Sequence, residues 1–210
     1  MQKHLEVNLQ ASYHTLNQLT DQTQRIWIVF HGYGMLSQYF IRKFSELDAE
    51  TNFIIAPQGL SKFYLQGFTG RVGASWMTKE DRLTEIDNQM RYLNQVMAVE
   101  NILNSKASII LFGFSQGVAT ACRFGAFSRL KFDKLILWSG TFPPDIPQEL
   151  THHWGEQTDI VYFTGDNDPY FVEGMIENQN ELVHKATGAF PRLIKFEGRH
   201  EVIPSLLSLV

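Results

Sequence analysis

The stretch that most constrains this chain is Ser108-Ile109-Ile110-Leu111-Phe112 running directly into Gly113-Phe114-Ser115-Gln116-Gly117. The first five residues have the length and apolar make-up of a buried strand, and Val118, Ala119, Ala121 and Cys122 continue as a helix of small residues. Gly113 and Gly117 frame Ser115 in a G-x-S-x-G pattern, and the strand-turn-helix setting is the one a nucleophile elbow requires. Such a turn is too tight for bulky flanking residues. It lifts the Ser115 hydroxyl above the sheet, close to a helix N-terminus whose backbone N–H groups favour developing negative charge.

The rest of the chain supplies a sheet for that elbow. Continuous apolar runs at Ile26–Phe30, Asn52–Ala56, Leu135–Trp138, Ile160–Phe163 and Leu193–Phe196 have strand length. Between them lie helix-period segments. Phe40, Phe44 and Leu47 form a short one, Glu173–Lys185 a longer one, and Lys79–Asn104 carries a stripe of Leu83, Ile86, Met90, Leu93 and Met97. Apolar strands alternating with helices imply an α/β protein with a mainly parallel sheet and helices on both faces. At the N-terminus Leu5, Val7 and Leu9 alternate like a half-buried strand, with His14–Leu19 turning back beside it as an antiparallel edge. Neither a repeat nor a linker divides residues 1–210, so one domain is expected. Pro57–Thr78 shows no clear period and is expected to be a long loop with an aromatic wall.

Composition removes several classes of function. Eighteen basic against 22 acidic residues leave a net charge of −4, without the basic patch of a nucleic-acid binder. A single cysteine, Cys122, cannot form an internal disulfide, and it reads as a small buried hydrophobe. The polar residues His4, Glu6, Asn8 and Gln10 interrupt the N-terminal stretch, and Ala107–Cys122 is too short and too broken for stable membrane insertion. A cytoplasmic protein is expected.

A serine hydroxyl needs a base, and the base needs an orienting acid. After Ile160–Phe163 comes Gly165-Asp166-Asn167-Asp168-Pro169, which offers Asp166 and Asp168; residue chemistry leaves both open. After Leu193–Phe196 comes Gly198-Arg199-His200, ahead of a short apolar helix over Val202–Leu209. The chain order serine, aspartate, histidine is that of the α/β-hydrolases, and each residue follows a strand. All three can therefore converge at the carboxyl edge of one sheet. His31-Gly32-Tyr33-Gly34, after Ile26–Phe30, is placed to complete an oxyanion hole from the Tyr33 and Gln116 N–H groups. His31 reads as a brace for that glycine loop. His4, His14 and His184 read as surface residues, and His152-His153 lacks metal-site spacing, so no metal is expected.

These residues resemble the phospholipase/carboxylesterase family of α/β-hydrolases, which includes acyl-protein thioesterases. The resemblance rests on His31-Gly32-Tyr33-Gly34, Ala56-Pro57-Gln58, Trp76, Gly113-Phe114-Ser115-Gln116-Gly117, Ser139-Gly140, Gly165-Asp166-Asn167-Asp168 and Gly198-Arg199-His200. It implies an α/β-hydrolase fold without a large cap domain, with Ser115 as nucleophile, Asp168 as acid and His200 as base. It also implies Tyr33 and Gln116 as oxyanion donors. Met35 and Met77 stand where the family commonly carries acidic residues, which bears on the substrate more than on the chemistry.

The expected activity is hydrolysis of small or medium carboxylic esters, or of thioesters, without a metal or organic cofactor. Trp76, Phe142 and Tyr170 are expected as apolar walls beside the nucleophile. Two rivals use the same residues. A peptidase or amidase would share the triad, and a non-catalytic ligand-binding protein would share the scaffold.

Overall fold

The computed structural model describes residues 1–128, 130–172 and 174–210. The strands are β1 (Tyr13–Leu16), β2 (Arg25–Phe30), β3 (Asn52–Pro57), β4 (Ser61–Gln66), β5 (Thr69–Ser75), β6 (Ser108–Phe114), β7 (Lys134–Trp138), β8 (Asp159–Gly165) and β9 (Arg192–Phe196). The helices are α1 (Ser37–Phe40), α2 (Arg82–Val99), α3 (Gln116–Phe127), α4 (Trp154–Gln157) and α5 (Met175–Thr187). Among the described residues, seven strands form one sheet in the order β1-β3-β2-β6-β7-β8-β9, with β1 antiparallel and every other pairing parallel.

The continuous apolar runs follow from burial on both sheet faces. On one face Ile26, Ile28, Phe30, Leu111 and Leu137 meet Leu93 and Val96 of α2, Val118 and Phe124 of α3, and Val183 of α5. On the other, Trp27, Val29, Phe112, Trp138 and Phe163 meet Phe40, Phe44 and Leu207. Trp138 and Phe163 stack at 4.2 Å with their rings nearly parallel.

Four expectations need correction. Leu5, Val7 and Leu9 lie outside any strand and are 86%, 76% and 68% exposed; their alternation finds no sheet to bury it. Pro57–Thr78 is largely an antiparallel hairpin of β4 and β5. Most of that hairpin is exposed, so it carries no in/out contrast from which a strand period can be read. Helix α2 starts only at Arg82, after Asp81 at φ 47°, and this first turn leaves Leu83 75% exposed. The last apolar segment is a 3-10 helix over Pro204–Leu209. Glu173, the expected start of α5, lies outside the described residues.

The chain order positions the site. After β2 the chain adds β3 on one side, then returns to lay β6 on the other, so direction switches between β2 and β6. In open parallel sheets ligands bind outside the carboxyl ends of strands at such a switch. Here those ends carry the His31–Gly34 loop and Ser115.

Candidate active site

Ser115 sits between β6 and α3 with φ 53° and ψ −120°, a conformation disfavoured for a residue with a side chain. Its neighbours force it there. Its N–H donates to Trp138 O at 2.9 Å, and its carbonyl accepts from the Val118 N–H at 3.0 Å, turning the chain straight into α3. A Cβ on Gly117 would come within 2.1 Å of Phe30 O and 2.7 Å of His31 O. Only glycine lets the start of α3 press against the end of β2, and that contact sets the elbow beside the Tyr33 loop. Among the described residues, neither the Tyr33 N–H nor the Gln116 N–H has a backbone acceptor.

The loop that carries Tyr33 is held by a neutral histidine. His31 is fully buried, and its Nε2 accepts the Gly59 N–H at 3.0 Å, with the Gln58 side-chain nitrogen at 3.1 Å. Its other nitrogen must then carry the proton, and Nδ1–H donates to Gly32 O at 2.8 Å. Burial pushes the imidazole down to about 4, against a weaker opposing effect of the Gly32 bond. Hairpin strand β5 clamps the same loop, since Gly34 N–H donates to Ala74 O and Ala74 N–H to Met35 O.

The Gln116 side chain adds a tie beyond its backbone N–H. Its Oε1 accepts the Trp76 N–H at 3.1 Å, and its Nε2 donates to Ser75 Oγ and Met77 O, both at 3.0 Å. The residue after Ser115 therefore fixes the end of β5.

The loops that carry Asp168 and His200 follow β8 and β9 and are zipped together. A Cβ on Gly165 would lie 2.5 Å from Arg199 O, so this glycine permits the close approach. Asp166 braces it, its Oδ1 accepting the Gly198 N–H at 3.0 Å. Asp168 is the carboxylate that reaches the imidazole. Its Oδ2 accepts His200 Nδ1–H at 2.8 Å, with the Asp168 side chain fully buried. Trp138 Nε1–H donates to Glu201 O at 2.8 Å and pins the chain just after His200. The His200 ring packs on Phe114, the residue before Ser115, with centroids 4.9 Å apart. Among the described residues Ser115 Oγ makes no hydrogen bond, so the hydroxyl–imidazole contact is not formed in this resting geometry.

The three expected walls fare differently. Trp76 is 1% exposed, its indole N–H donating to His31 O at 2.8 Å and its ring 4.8 Å from His31. Phe142 is 2% exposed and packs edge-on to Trp154. Both are buried packing residues that show no open face, because each finds an aromatic partner in the interior. Tyr170 is 68% exposed, with its ring 4.6 Å from that of His200. His31 braces the glycine loop as its sequence setting implies, whereas the roles of Gln58 and the Gln116 side chain escape sequence reasoning, since their partners lie as far as 41 residues away. The Ala56-Pro57-Gln58 motif is the signal that points toward them.

Comparison with known proteins gives the same outline. The model of the family described as phospholipase/carboxylesterase matches residues 12–207. No curated protein matches the chain. Among solved structures, the Zea mays acyl-protein thioesterase 2 superposes with a TM-score of 0.69 at 13% identity, over 95% of this chain and 96% of its own. Esterase PE8 gives 0.67 at 18% identity over 96% of both chains. The Bacillus cereus carboxylesterase gives 0.66 at 14% identity, over 93% of this chain and 89% of its own. At these identities the likeness establishes an α/β-hydrolase fold.

Proposed function

Because the chain belongs to the phospholipase/carboxylesterase family, we propose that it is a serine carboxylesterase acting on small or medium carboxylic esters or thioesters. One observation carries the reading. A serine held at a strained elbow shares a sheet edge with an imidazole whose Nδ1–H is bound to a buried carboxylate. That bond leaves Nε2 of the neutral ring free to take a proton.

In the proposed cycle Ser115 Oγ attacks the ester carbonyl while its proton passes to His200 Nε2. The carbonyl oxygen becomes an oxyanion held by the Tyr33 and Gln116 N–H groups, and Asp168 supports the imidazolium. Collapse breaks the bond to the leaving group, which departs with the proton from His200. Water then attacks the acyl-enzyme, gives its proton to His200, and releases the acid as that proton returns to Ser115. The unformed Ser115–His200 bond is one that tightens on substrate binding, as resting catalytic contacts commonly do. The exposed Tyr33 ring packs at a tilt against Phe63 with centroids 5.1 Å apart, and this apolar surface beside the proposed oxyanion donors suits an acyl chain. Among the described residues no helix is long and apolar enough to cross a membrane. The lone cysteine is buried and free, which suits a reducing, cytoplasmic setting.

Fluorophosphonate treatment followed by peptide mass mapping tests the nucleophile; the expected result is one adduct, on Ser115. Intact, unlabelled protein after exhaustive treatment rejects the mechanism. Matched nitrophenyl esters, thioesters and anilides of graded acyl length then define the substrate class, with the anilides expected to be inert.

A further inference from the structure

The catalytic imidazole is held by more than its acid. In the resting geometry, without the bond to Ser115, its ring position depends on the Nδ1–H bond to Asp168 and on two aromatic contacts. One is Phe114, which is 5% exposed and fixed by its place at the end of β6. The other is Tyr170, whose ring lies 4.6 Å from the imidazole at an interplanar angle of 65°. A single hydrogen bond leaves an imidazole free to swing about the bonded nitrogen, and a ring packed against it removes that freedom.

Tyr170 is built into this arrangement through its backbone as well. Its N–H donates to Asp168 Oδ1 at 3.0 Å, while Asp168 Oδ2 takes the His200 proton. One carboxylate therefore sets the position of both the tyrosine backbone and the imidazole. Pro169, immediately before Tyr170, further restricts the approach of the chain. Burial does not explain the ring, since Tyr170 is 68% exposed.

We propose that Tyr170 is a positioning residue for His200: its ring, tethered through Asp168, holds the imidazole in line for proton transfer. This differs from a role as a substrate wall, and it rests on the serine-hydrolase reading given above.

The test compares Tyr170→Ala and Tyr170→Phe with the parent enzyme in three measurements. On short and longer nitrophenyl esters, Tyr170→Ala should lower kcat by about three- to tenfold, the worth of one aromatic contact, at every acyl length with KM essentially unchanged. The downfield proton NMR signal of the His200–Asp168 bond, assigned by its loss in Asp168→Asn, should broaden in Tyr170→Ala. Tyr170→Phe should restore both, because the ring acts and the hydroxyl does not. Thermal melting should be unchanged in both Tyr170 variants, as expected for an exposed side chain. A rise in KM that grows with acyl length at constant kcat would make Tyr170 a substrate wall and overturn the proposal. So would a Phe variant as slow as the Ala variant, or an Ala variant with full kcat and a sharp imidazole signal. The NMR signal needs no turnover. If the parent enzyme resists fluorophosphonate, the hydrolase reading fails separately from the packing of Tyr170 on His200.

Discussion

His31 offers a direct check on how the oxyanion loop is held. Its Nε2 accepts the Gly59 N–H, so a second ring proton would set two donors against each other inside the protein. Burial lowers the imidazole from 6.5 to about 4. Above about pH 6.5 His31 is neutral whether the chain is folded or unfolded, and it adds no pH dependence. As the pH falls below that, the unfolded chain takes up the proton and the folded chain does not, so stability is lost until about pH 4. The full shift corresponds to about 3 kcal/mol, and most of it should be gone at about pH 4.5. The assay is urea unfolding followed by tryptophan fluorescence, at about pH 7.5 and about pH 4.5, for the parent and His31→Gln. The variant should be less stable by about 1–3 kcal/mol at neutral pH, because hydrogen bonds to the imidazole are lost. Its further loss on acidification should be smaller than the parent's by roughly 2–3 kcal/mol. Equal acid losses in the two proteins would refute the assignment of a buried, neutral His31.

The remaining predictions concern the site itself. Ser115→Ala should lower kcat roughly a million-fold and abolish fluorophosphonate labelling while the protein keeps its melting temperature. Asp168→Asn should cost roughly three to four orders of magnitude in kcat, because an amide can hold the imidazole in the wrong tautomer; steady-state kinetics on a short nitrophenyl ester decides it. Gly165→Ala would place a Cβ 2.5 Å from Arg199 O, pushing the acid and base loops apart. It should destabilise the fold by about 1–3 kcal/mol in urea titration and reduce kcat disproportionately. Gln116→Ala keeps the backbone N–H but cuts the ties to Ser75, Trp76 and Met77, so kcat should fall about tenfold with altered Trp76 fluorescence, measured by kinetics and emission spectra.

Legibility in this chain followed burial. Strands β2, β6, β7 and β8 are covered on both faces, so their apolar runs identify them within a residue or two. The hairpin of β4 and β5 buries little and carries no readable period; its glycines and scattered aromatics mimic a loop. The alternation at Leu5, Val7 and Leu9 shows the opposite failure, a strand pattern without a sheet to complete it. Pattern is necessary for a strand in water, but a pairing edge must also be available.

The gathering of Ser115, Asp168 and His200 at one sheet edge was more legible than the aromatic residues around them, for a topological reason. A parallel sheet delivers the ends of β2, β6, β8 and β9 to one edge, so residues just after those strands meet whatever the intervening lengths. That rule suffices to gather His31, Ser115, Asp168 and His200. It does not decide between two carboxylates in one loop. Asp166 and Asp168 are separated by which of them is buried against the imidazole and which faces Gly198, a matter of loop geometry and not of pattern. Nor does it say which way a loop aromatic turns. Trp76 turns inward, its indole N–H on a buried carbonyl, whereas Tyr170 stays exposed with its ring against His200.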